Sequence, residues 1–90
     1  MRTRKRTVEE NAIYCHYISH TWDTVTYAYW ATIDDITGVV VFHFWKEEGI
    51  EIIRKPERYV VLWRHIQSVY HRYLEEFRRG VFLKKLAREI

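Results

Sequence analysis

Five histidines, one cysteine and the carboxylate pairs Asp34-Asp35 and Glu47-Glu48 are residues of this 90-residue chain whose types could carry metal or catalytic chemistry. A zinc site needs ligands at local spacing, usually several cysteines or histidines with a partner carboxylate. Cys15, His16 and His20 come closest to that pattern. Successive residues on a strand point to opposite faces, so Cys15 and His16 cannot share an ion there. His65 and His71 are six residues apart, about 240° around a helix at 3.6 residues per turn. An HExxH pattern is absent. No metal and no cofactor is expected, and the histidines read as surface or hydrogen-bonded side chains.

Asp34-Asp35 and Glu47-Glu48 are acidic pairs at the expected hairpin loops. A metal-dependent nuclease needs carboxylates within a few ångströms of one another. These pairs flank one expected strand, roughly 25 Å apart at about 3.4 Å per residue, so only a dimer would bring different ends together. They read as solubilising hairpin tips. Ser19 and Ser68 stand outside any Gly-rich elbow. His16 beside Cys15 offers activation of a thiolate, but the plainer reading is a buried strand cysteine. No Gly-rich phosphate loop occurs. The chain is therefore expected not to be an enzyme, with the metal-dependent nuclease as the residual catalytic reading.

Positive charge at the two ends is a stronger signal. Residues 1–6 carry +4 through Arg2, Arg4, Lys5 and Arg6, and residues 78–90 carry +4 through Arg78, Arg79, Lys84, Lys85 and Arg88 less Glu89. The body between them carries −5, which leaves the net +3. A polyanion would thus be gripped by the ends. Basic arms lie along phosphates or enter a minor groove, although basic ends also serve solubility alone.

The elements that must position these groups follow from apolar spacing. Residues 1–7 read as a flexible basic arm, and residues 8–90 as a single α+β domain. β-branched and aromatic runs predict strands over residues 12–18, 24–33, 39–46 and 50–54. The connections are a turn at 19–23, a hairpin loop at 34–38 with Gly38 free to take positive φ, and a tight turn at 47–49. This is an antiparallel meander of three to four strands. Pro56 then suits a helix start, with Glu57 complementing the dipole. Apolar residues at Tyr59, Leu62/Trp63, Ile66, Val69/Tyr70, Tyr73 and Phe77 predict one long amphipathic helix. Gly80 reads as its C′ residue. Phe82, Leu83, Leu86 and Ile90 then suggest a short helical tail over 81–90. Sheet-then-helix order is loosely similar to small DNA-binding domains that read a groove with a three-stranded sheet, an analogy of architecture alone.

A five-residue loop pairs Ile33 with Val39 and places large apolar groups on both sheet faces. One helix covers one face, and an uncovered apolar face marks an interaction site. Homodimerisation is the expected outcome, with Trp30, Phe42, Phe44, Trp63 and Tyr70 at the interface. A stacking platform for unpaired bases, built from Trp30, Phe42 or Tyr29, is a second use of such a face; a different register, with the tail and the N-terminal segment covering the face, is the third outcome.

Composition narrows the class further. Apolar residues are 48% of the chain and the longest apolar run is far short of a membrane span. The N-terminus lacks the apolar core of a secretory signal, and the lone Cys15 forms no intrachain disulfide. A cytoplasmic location is expected, in the host cytoplasm if the chain is viral. Scarce Asn, Gln, Cys and Met beside plentiful Arg, Glu, Ile, Val and Tyr suggest a thermophile or its virus or plasmid. The functional expectation is a dimeric DNA- or RNA-binding protein. The alternative is a homodimeric protein-interaction module or inhibitor. No small-molecule substrate is evident.

Overall fold

A computed structural model describes residues 12–32, 35–58 and 60–89. The arm residues Arg2, Arg4, Lys5 and Arg6 lie outside the described residues. The described chain is α+β. Its elements are β1 (Ala12–His20), β2 (Thr24–Trp30), β3 (Gly38–His43), β4 (Ile50–Arg54), α1 (Trp63–Arg78) and β5 (Lys85–Glu89). All five strands form one antiparallel sheet in the order β4-β3-β2-β1-β5. No helix among the described residues is long and apolar enough to cross a membrane.

Register is the first correction to the sequence reading. β2 pairs with β3 through Tyr29↔Gly38, Tyr27↔Val40 and Val25↔Phe42, not through Ile33↔Val39. The slip is an odd number of residues, and side chains alternate with period two, so β3 exchanges its faces relative to β2. Val40, Phe42 and Phe44 therefore join Val25, Tyr27 and Tyr29 in one core, instead of spreading over two apolar faces. Gly38 takes part by close approach, not by positive φ: a Cβ there would sit 2.7 Å from the Tyr29 ring.

The β2–β3 loop is longer as a result, and Asp35 turns inward. Its carboxylate accepts the backbone N–H of Glu57 at 3.0 Å, that of Arg58 at 2.6 Å and the Thr37 hydroxyl at 3.0 Å. Asp35 is thus buried and structural, not a solubilising tip. It also fixes a bend where Pro56 and Glu57 promised a helix start. Val60 and Val61, β-branched and poor helix formers, stay outside α1, which begins only at Trp63 with Leu62 as an uncapped N-cap.

The second large correction is the tail. Residues 85–89 form β5, not a helix, and add to β1 through Cys15↔Leu86 and Ile13↔Arg88. Pairing supplies partners for the open edge of β1 and buries Leu86 against the core. That gain overrides the helical spacing of a ten-residue segment too short to hold a helix alone. The end of α1 matches expectation. Gly80 adopts φ of 80°, and Val81 N–H to Glu76 O (2.8 Å) with Gly80 N–H to Phe77 O (2.9 Å) closes a Schellman motif.

α1 lies nearest β1 and β5. Its apolar stripe of Ile66, Val69, Tyr70 and Phe77 follows the predicted spacing and faces the sheet. Phe77 meets the rings of Tyr27, Phe42, Phe44, Tyr73 and Phe82 at centroid distances of 5.7–6.5 Å. Phe42, Phe44 and Tyr70 are thus core residues of the single chain. Of the five residues expected at a dimer interface, Trp30 and Trp63 alone reach the surface.

Candidate nucleic-acid interface

The C-terminal basic residues fall into two places. Arg78 ends α1 with Arg79 as its C-cap, Lys84 lies in the connection that follows, and Lys85 opens β5. Arg88 lies three residues along β5, where its Nε donates to Ser68 Oγ on α1 at 2.8 Å. None of the five is in an ion pair among the described residues. Arg72 and Glu76 form an ion pair on α1, and the His43 ring is hydrogen-bonded to Glu51 at 2.8 Å on the open sheet face.

Arg78 is partly committed to the fold. Its Nε donates to Phe44 O at 2.6 Å, and Tyr70 donates its hydroxyl toward His43 O and Lys46 O at 3.2 and 3.0 Å. Together they clamp the β3–β4 turn onto α1. The clamp leaves the Arg78 guanidinium 5.3 Å above the Trp45 ring, a cation–π geometry. Its terminal nitrogens make no hydrogen bond among the described residues.

Two exposed tryptophans share this end of the molecule. Trp22, at the tip of the β1–β2 turn, is 83% exposed, and Trp45 in the β3–β4 turn is 57% exposed. They line one cleft of about 340 Å³ with His20, Arg78 and Phe82. The His20 ring lies on Phe82 at 4.3 Å between centroids, and its Nδ1 is bonded to Tyr17 Oη at 2.7 Å. Sequence reasoning passed over both indoles. The signal was there for Trp22: turns of this kind favour Gly, Asn or Asp, and a tryptophan gains nothing from the position.

The open sheet face carries a second depression, of about 390 Å³, lined by Tyr14, His16, Trp30, Ile36, Lys85 and Ala87. Tyr14 and Trp30 are cross-strand partners with stacked rings 6.4 Å apart. Of the residues expected to stack bases, Trp30 lies here, while Phe42 and Tyr29 are buried in the core.

The remaining chemical candidates are dispersed. Cys15 is buried, and desolvation pushes its thiol up to about 12, so it is no thiolate at neutral pH. His65 is 1% exposed, and neither ring nitrogen is hydrogen-bonded among the described residues. Burial, and then the neighbouring Arg64 charge, hold its imidazole below the ordinary value. No group of three or more His, Cys, Asp or Glu among the described residues could hold a metal ion. The Asp34–Asp35 pair is half outside the described residues, since Asp34 is one of those not described.

No family model matches the chain, and no curated protein or solved structure is detectably similar to it.

Proposed function

We propose that this protein is a small cytoplasmic nucleic-acid-binding module that holds phosphates through Arg78, Arg79, Lys84 and Lys85, with Arg88 and the arm residues Arg2, Arg4, Lys5 and Arg6 extending the track. One observation carries the reading: these C-terminal cations follow one another from α1 into β5 with no carboxylate paired to any of them among the described residues. The negative pole of a helix C-terminus accounts for Arg78 and Arg79. It does not account for Lys84 and Lys85, which lie beyond the helix and are exposed.

The test is a salt series of binding to a fluorescent oligonucleotide. Replacing Arg79, Lys84 and Lys85 together by alanine removes three phosphate contacts. The slope of log K against log salt should then flatten by about 2 to 3. Wild-type protein that shows no binding at low salt refutes the reading.

A second reading, a homodimer without a nucleic-acid role, is favoured by the apolar depression around Tyr14, Trp30 and Ile36. Under it, light scattering gives a dimer that Trp30→Glu converts to monomer, and the oligonucleotide is ignored.

A further inference from the structure

We propose that the cleft between the β1–β2 turn and the end of α1 is a stacking site for unpaired nucleobases, which makes the ligand of this protein a single strand. The inference rests on the nucleic-acid reading above and adds the class of nucleic acid. The β1–β2 turn is held by its threonines. Thr21 N–H bonds Thr24 O at 2.8 Å, Thr24 N–H bonds Thr21 Oγ1 at 3.1 Å, and the two hydroxyls meet at 2.7 Å. The Trp22 indole contributes to none of this and stands in water, where a large apolar surface is costly unless something covers it.

Trp45 projects from the neighbouring turn with the Arg78 guanidinium already placed over its ring. A base entering beside it meets an indole and a cation together, the combination that binds single strands without sequence preference. The cleft, about 340 Å³, lies at the small end of the range for ligand sites, roughly 300–1,000 Å³. It suits a nucleotide, whereas a duplex hides its base faces within the stack.

Charge decides which side of the cleft takes the phosphates. Asp23, next to Trp22, accepts the Thr21 hydroxyl at 3.0 Å and disfavours a phosphate on that turn. The backbone is left the side of Arg78, Arg79 and Lys84. His20, fixed by Tyr17 through Nδ1, keeps Nε2 for a base edge or a phosphate.

The experiment titrates full-length protein with a short oligo-dT strand, a short oligo-U strand and a duplex of equal length at low salt. Intrinsic fluorescence and anisotropy are read together. A stacked base is worth about 1–3 kcal/mol, so Trp22→Ala and Trp45→Ala should each weaken single-strand binding by about 5- to 150-fold. Trp22→Phe should restore part of the loss, and the melting temperature of the Trp22 variants should not move. Single strands, of DNA or RNA, should bind more tightly than the duplex.

Duplex binding that is equal or tighter, with tryptophan variants unchanged, overturns the stacking site and leaves the nucleic-acid reading standing. Absence of binding to all three probes overturns both. A free protein that is dimeric and becomes monomeric on Trp22→Ala overturns the proposal by showing that a second copy fills the cleft.

Discussion

Acidification from pH 7 to pH 5 should destabilise this protein through one side chain, His65. The residue sits in the first turn of α1 at 1% exposure, with Nδ1 and Nε2 both unpartnered among the described residues. Burial and the adjacent Arg64 charge lower its pKa from the ordinary value of 6.5. Below that value the unfolded chain takes up a proton that the folded chain refuses. Stability therefore falls as pH drops from 6.5 toward the lowered folded value, and is constant above 6.5. The limiting slope for one proton is about 1.4 kcal/mol per pH unit, so the loss at pH 5 is at most about 2 kcal/mol. His65→Leu keeps the volume and removes two unsatisfied polar atoms, each a cost of roughly 1–3 kcal/mol. The variant should be at least as stable as wild type at pH 7 and should lose that part of the pH dependence. Urea melts of both proteins at pH 7 and pH 5 measure it. Parallel losses in the two proteins, or a variant destabilised at pH 7, would refute the reasoning.

Three further outcomes follow from the packing. Phe77→Ala, which removes the ring joining the sheet core to Phe44 of the β3–β4 turn and Phe82 of the α1–β5 connection, should cost about 3–5 kcal/mol in a denaturant melt. Gly38→Ala places a Cβ 2.7 Å from the Tyr29 ring and should cost about 1–3 kcal/mol by the same assay, with no loss of secondary structure by circular dichroism. Cys15, with its thiol pushed up to about 12, should resist Ellman's reagent at pH 8 in the folded protein and react fully once the chain is unfolded.

Much of the architecture was legible because it is written in local patterns. The β4 bounds, the Gly80 cap and the 66–69/70–77 stripe rest on spacing and turn chemistry within a few residues. What could not be read is non-local. The β2–β3 register depends on Gly38 meeting the Tyr29 ring, and on Asp35 leaving the loop tip to take amides some twenty residues away. β5 depends on the open edge of β1, which no window of residues 81–90 can reveal. The candidate site was half legible. Arg78, Arg79, Lys84 and Lys85 stand out as charges, but the cleft needs Trp22 and Trp45 brought together from two turns by strand pairing.

The central claim is that an unpaired strand binds at the joined ends of β1, β3 and α1. The direct measurement is a ¹⁵N chemical-shift titration of the full chain with a short single-stranded oligonucleotide. Trp22 and Trp45 indole Nε1–H signals and the amides of Arg79 and Lys84 should move together, while the Trp30 and Trp63 indoles stay in place. Shifts confined to Tyr14, Trp30 and Ile36, or no shifts at low salt, would contradict it.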